Sequence, residues 1–223
     1  LSIRRQRQMC IRDSVKRATL NSIGAALGGY ATKLGQFWVG HGKEIGGKPQ
    51  ASIWGEGTKI HSVNAAFVNA QLAGTLDYDE TYFRPYLFTT HPANTVIPAA
   101  IVTGEPTGVS GKDYITAIVA GYEVMLRVSR AMFSDLQIYY TIRGLGSTQA
   151  MGAAVAAGKL LGLNDWQMWN TIGLIGETAP LPSEGKWIQE FGNKPLSWTK
   201  YRPGWCAEAA VRAALFTQGG AMG

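Results

Sequence analysis

Apolar positions recur at helical spacing along most of the chain. Val15, Ala18, Leu20, Ile23, Ala26 and Leu27 keep a period near 3.6, and Gly28-Gly29 reads as a stop. Ser62 can cap a second helix to about Leu76, with Val63, Ala66, Phe67, Ala70 and Leu72 near one face. Asn94 reads as the cap of a third, through Ala99 to Val102, with Pro98 in its first turn where proline is tolerated. Ser110 opens the longest predicted helix, SGKDYITAIVAGYEVMLRV, with Asp113 completing an approximate capping box. QAMGAAVAAGKLLG starts near Thr148 and ends at Gly162, and its Gly and Ala let a neighbouring helix come close. Asn164 or Asp165 caps DWQMWNTIGLIGE, and Pro203 sits in the first turn of a last helix, GWCAEAAVRAALFTQGG. Strands alternating with helices are missing. The pattern predicts an all-α domain of about seven helices without internal repeats or linkers. Two long loops, 35–61 and 178–202, interrupt it, and ASIWGEGTKI in the first is a candidate hairpin.

Composition narrows the class. With 46% hydrophobic and 16% charged residues the chain can bury a core and is not disordered by composition. No apolar run reaches the roughly 20 residues a bilayer requires; the best, Tyr114 to Val128, carries Glu123 and Arg127. The charged N-terminus predicts no secretory signal. Cys10 and Cys206 are too few for a disulfide framework or an iron–sulfur cluster, and a cytoplasmic setting is expected. Cys206 reads as a small buried residue, and the tryptophans at 166, 169, 187, 198 and 205 as core and loop anchors.

Charge changes the picture only at the start. Arg4, Arg5, Arg7 and Arg12 against Asp13 put +3 of the net +6 into the first fourteen residues. RQRQMCIRDS resembles translated sequencing adapter, so residues 1–14 are expected to be a non-native leader outside the fold. A basic arm for nucleic acid is the rival reading and rests on that segment alone. Neither nucleic acid nor membrane is expected as a partner.

Candidate chemistry concentrates in LDYDETYFRPYLFTTHPANTVIPAA, residues 76–100. Asp77, Asp79 and Glu80 lie within four positions; clustered carboxylates repel, so one can have a raised pKa that suits a general base, or the run is a solvated loop capping nearby helices. His91 precedes a helix start, which favours its neutral form for proton transfer; the alternative is a loop histidine held by carbonyls. His41 and His61 read as structural. Lys200 and Arg202 before the last helix form a natural anion site, or are solvated cations. Arg143-Gly-Leu-Gly-Ser147-Thr148 offers a second anion cradle from amides and the Ser147 and Thr148 hydroxyls. A divalent metal on the acidic run is a further alternative, but one histidine without a second spaced ligand is weak evidence for it, and no metal is expected.

The runs SVNAAFVNA, LDYDET, THPANTVIPAA, GKDYITAIVAGYEV, AAGKLLGL and PGWCAEAA resemble, in order, the MmgE/PrpD family. The resemblance implies a helical first domain, a smaller α/β second domain, homodimers and an active site between the domains. It also implies cofactor-free chemistry on small di- or tricarboxylic acids. Asp77 stands at the first aspartate of an LDFDDT-like motif, Thr81 at its threonine, and His91 at the histidine of the following His-Pro. Lys200 stands at the active-site lysine, one residue short of the usual spacing to Gly204. Asp77, His91 and Lys200 are thus expected to be catalytic, and Thr81, Ser147, Thr148 and Arg202 to bind substrate. Many members read GFHPT where this chain has Gly144-Leu-Gly146-Ser147-Thr148, so a histidine important in the decarboxylase is absent. The expected activity is a 2-methylcitrate dehydratase-type hydro-lyase, with an iminodisuccinate-type epimerase or a non-catalytic dimerisation domain as alternatives. The chain is expected to be the incomplete helical part, 15–223, of a longer protein.

Overall fold

The computed structural model describes residues 3–84, 87–132, 137, 145–179 and 202–223. Among these, eight α-helices and two small antiparallel sheets form in the order α1 (Ile3–Tyr30), α2 (Lys33–Ile45), β1 (Ala51–Ser52), β2 (Lys59–Ile60), α3 (Ser62–Gly74), β3 (Tyr82–Arg84), β4 (Leu87–Thr90), α4 (Ala93–Thr107), α5 (Gly111–Met132), α6 (Gly146–Leu160), α7 (Asp165–Thr178) and α8 (Arg202–Gln218). The all-α expectation holds. None of the helices is long and apolar enough to cross a membrane among the described residues.

The core is built from small residues. In α3 every residue except Asn64 is buried, and in α6 every residue except Met151 and Lys159. Alanines at 65, 66, 70, 73, 150, 153, 154, 157, 207, 210 and 214 join α3, α6 and α8 into one cluster. Small side chains bring backbones together, so dispersion contacts are gained without long rotamers to order. The α5–α6 crossing shows the limit. A Cβ at Gly121 would lie 2.6 Å from the Gly152 carbonyl oxygen, and one at Gly152 would lie 2.6 Å from Met125 Cβ. A second cluster, with Val96, Ile97, Ile118 and Met125 essentially inaccessible, ties α1, α4, α5 and α6 together.

Several predicted boundaries move. The expected loop 35–61 holds most of α2, which Thr32 caps by accepting from the Gly35 N–H at 2.9 Å. Trp38 and Val39 anchor α2 in the core, and interspersed glycines hid that face. The candidate hairpin is present as β1–β2, pairing Ala51 with Ile60. His61, not Ser62, caps α3, its Nδ1 accepting from the Val63 N–H at 3.2 Å. Asn94 lies inside α4, whose cap position is Pro92 without a side-chain bond. Pro98 is therefore past the first turn. Ser110 and Asp113 do bond each other at the start of α5, at 2.7 Å, and Asn164 with Gln167 closes a full capping box on α7. Gly162 turns the chain after α6 with φ +70°. The longest described helix is α1, continuous from Ile3 and exposed along residues 6–14. Trp166, Trp169 and Trp205 are surface residues (52%, 78% and 52% exposed), not core anchors. Trp187, Trp198 and nearly all of the second predicted loop lie outside the described residues.

Candidate active site

After α3 the chain turns at Asp77, the sole described non-glycine residue with positive φ, +56°. Aspartate tolerates this left-handed conformation better than most residues. The acidic run follows, then the β3–β4 hairpin. Its register pairs Tyr82 with Thr90. The neighbours outward of that pair are Thr81 and His91, and their side chains meet, Thr81 Oγ1 to His91 Nδ1 at 3.3 Å. Hairpin pairing thus explains contact across ten residues of sequence. The Arg130 guanidinium on α5 bonds the Tyr82 hydroxyl and lies 5.5 Å from the centre of its ring, which docks the hairpin on the helices.

The carboxylate against His91 is Asp79. Its Oδ2 lies 3.0 Å from His91 Nδ1, with the Asp79 side chain fully enclosed. Neither Asp79 oxygen has a hydrogen bond of good geometry among the described residues, so the contact is electrostatic and off the hydrogen-bond line. Next to Asp79, burial pushes the Glu80 carboxyl above the usual range; the nearby Tyr122 hydroxyl opposes this and the Asp79 charge adds to it. Burial also raises the Tyr122 phenol well above its ordinary value, reinforced by Glu80. Tyr114, about two turns earlier on α5, is pushed up to about 12 by burial despite its 2.9 Å bond with Thr19.

The starts of α4 and α6 meet at His91, and the start of α8 packs beside them. Gln149 Nε2, in the first turn of α6, donates to the His91 carbonyl at 2.9 Å and to Asn94 Oδ1 of α4 at 3.3 Å. Cys206 Sγ of α8 donates to the Gly146 carbonyl at 3.2 Å. A Cβ on Gly74, at the end of α3, would lie 3.1 Å from Pro203 Cγ and 3.6 Å from Asn94 Nδ2. Neither α4 nor α6 has a side-chain cap. Converging helix starts supply N–H groups and partial positive charge, a setting for anionic ligands.

The predicted site residues divide. Thr81 and His91 come together. Ser147 is buried in the first turn of α6 with its hydroxyl unbonded, whereas the Thr148 hydroxyl donates to the Leu145 carbonyl at 2.9 Å. Asp77 is exposed at the turn, and the described carboxylate beside the imidazole is Asp79. Lys200 lies outside the described residues, and Arg202 opens α8 with its side chain undescribed. Asp79 was named only as one of the acidic run and Asn94 only as a helix cap, and Gln149 and Tyr122 were not singled out in the sequence. The available signal was Gln149 itself, an amide at the head of an alanine-rich helix. No group of three or more His, Cys, Asp or Glu with metal-binding arrangement occurs among the described residues.

A helical domain with a buried imidazole–carboxylate contact under converging helix starts is a scaffold for acid–base work on anions. A profile of the MmgE/PrpD N-terminal domain matches residues 5–223, and the chain belongs to that family. It is similar to cis-aconitate decarboxylase of Mus musculus, 27% identical over 154 residues, covering 67% of this chain and 31% of that protein. It is also similar to cis-aconitate decarboxylase of Aspergillus terreus, 31% identical over 131 residues, covering 55% of this chain and 25% of that protein. The chain spans less than a third of the length of these relatives.

Proposed function

We propose that the intact protein is a lyase acting on small di- or tricarboxylic acids, and that this domain supplies its acid–base centre. Family membership and the decarboxylase relatives support the lyase class. The single observation that carries the mechanism is the enclosed contact of His91 Nδ1 with Asp79 Oδ2 at 3.0 Å, beside Thr81. A carboxylate orients the imidazole and faces the charge the ring gains on taking a proton. The reading is a 2-methylcitrate dehydratase-type elimination. His91 removes a proton from the carbon next to a carboxylate, the C–H electron pair becomes the double bond, and the C–O bond breaks. The departing hydroxyl takes a proton and leaves as water. Helix starts and the cations Lys200 and Arg202 hold the carboxylates, with Asp77 as a further candidate acid or base. The protein is read as a cofactor-free cytoplasmic homodimer. An epimerase of the same family uses the same proton removal, and the glycine at 146 leaves that reading open.

The test is turnover of methylcitrate, citrate, cis-aconitate and iminodisuccinate by the intact protein and by His91→Gln and Asp79→Asn. His91→Gln is expected to lower kcat on the accepted substrate by about 10²–10⁴-fold. Asp79→Asn is expected to lower it less, because it orients rather than transfers. Full activity of His91→Gln on every substrate accepted by wild type sinks the proposal.

A further inference from the structure

Beneath His91 the structure buries more hydrogen-bonding capacity than it uses. Asn94 Nδ2, Gln149 Oε1 and Ser147 Oγ are each inaccessible, and none has a partner among the described residues. The two amide side chains are themselves 0% exposed and Ser147 is 2% exposed. A buried polar atom left unbonded keeps its full desolvation penalty, so three together call for an occupant.

The amide orientations are fixed by their other bonds. Asn94 Oδ1 accepts from the Thr95 hydroxyl at 2.9 Å and from Gln149 Nε2 at 3.3 Å. Gln149 Nε2 must point at the His91 carbonyl, 2.9 Å away, because its oxygen there would be repelled. What remains is one unfilled donor, Asn94 N–H, one unfilled acceptor, Gln149 Oε1, and a hydroxyl able to do either. A carboxylate cannot complete this set, since its oxygens only accept and would face Gln149 Oε1. An ammonium would leave Asn94 unmet. A neutral hydroxyl accepts from Asn94 and donates to Gln149.

We propose that Asn94, Gln149 and Ser147 form a subsite for the substrate's hydroxyl, the oxygen that leaves as water. This rests on the lyase reading above and narrows its substrate class to hydroxy acids. The placement also favours the reaction. As the C–O bond breaks, the oxygen gains negative charge at the uncapped starts of α4 and α6, where helix dipoles and the Asn94 donor oppose that charge.

The experiment compares citrate with tricarballylate, which has the same three carboxylates and no hydroxyl, by calorimetric titration of the intact protein. Wild type is expected to bind citrate at least about tenfold tighter, as sites built to bond a hydroxyl reject analogues lacking it. Asn94→Asp keeps the acceptor used by Thr95 and Gln149 and removes the donor. It is expected to bring the ratio of dissociation constants toward one. Its new charge acts on both ligands alike and cancels in the ratio. If Asn94→Asp fails to fold, Asn94→Ala gives the same reading without added charge. Equal wild-type affinities, or a variant that weakens both ligands in proportion, would overturn the subsite and leave a structural water only, with the lyase reading intact. Failure to bind either ligand, together with no turnover of any family substrate, removes the lyase reading and the subsite with it.

Discussion

Helix α6 belongs to two different environments. From Ala150 onward it is a strip of alanine and glycine pressed against α4, α5 and α8, with polar groups scarce. Its first turn, Gly146-Ser147-Thr148-Gln149, is equally buried but polar, and two of its side-chain atoms have no hydrogen-bond partner among the described residues. The dry end gains from close approach. The polar end carries a cost that the dry end offsets, which is the pattern expected where function rather than stability selects residues. The contrast is therefore between parts of one rigid helix: packing at one end sets the position of hydrogen-bonding groups at the other.

Filling the dry end should do the most damage. Gly121→Val would drive a branched side chain into the Gly152 carbonyl, already 2.6 Å from an ideal Cβ, and into Val96 Cγ1 at 2.9 Å. Backbone oxygen cannot move aside as a side chain can. We expect a loss of about 3 kcal/mol, or failure to fold, read as a drop in the denaturation midpoint. A midpoint within error of wild type would mean that α5 and α6 do not pack at this spacing.

Emptying the polar end should act in the other direction. Ser147→Ala removes a buried hydroxyl without a described partner and leaves a methyl in its place. Stability is expected to rise by up to about 1 kcal/mol, while binding of hydroxyl-bearing acids weakens. A clear loss of stability would show that the hydroxyl is satisfied in solution and that the two ends differ less than described.

The dry end was the more legible of the two in sequence. Alanine and glycine runs at helical spacing marked α3, α6 and α8, and capping residues marked α5 and α7. What stayed hidden had local causes. In α2 the apolar stripe of Leu34, Trp38 and Val39 is broken by Gly35, Gly40 and Gly42, and composition there resembles a loop. At the site, Thr81 and His91 were visible as motif residues, but Asp79 could be ranked above Asp77 only through a hairpin register. That register depends on Tyr82 facing Thr90 with a bulge beside them, and short strands of this kind leave little periodicity. Asn94 and Gln149 sit 55 positions apart and meet only because α4 and α6 begin side by side.

The smallest effect expected is a pH dependence that separates the two environments through two glutamates. Burial raises Glu80 above the usual carboxyl range, with Tyr122 opposing and Asp79 adding. At Glu105 burial also acts upward, but the Ser52 N–H at 2.9 Å, the Ser52 hydroxyl at 2.7 Å and Lys59 at 2.9 Å outweigh it and hold the carboxyl low. Folded Glu80 keeps its proton at pH values where the unfolded chain has released it. Its contribution is therefore complete at low pH and is lost as pH rises through the folded value. Glu105 has the opposite sign: its contribution is present above the unfolded value and is lost as pH falls through the folded one. Denaturation midpoints from acid to neutral pH should show Glu80→Gln losing less stability than wild type on the way up. Glu105→Gln should lose less on the way down, and by little, because its partner Lys59 is half exposed and solvent screens the pair. Parallel profiles for Glu80→Gln and wild type would place Glu80 in water rather than against Tyr122, and would take the acidic loop out of the buried end of the molecule.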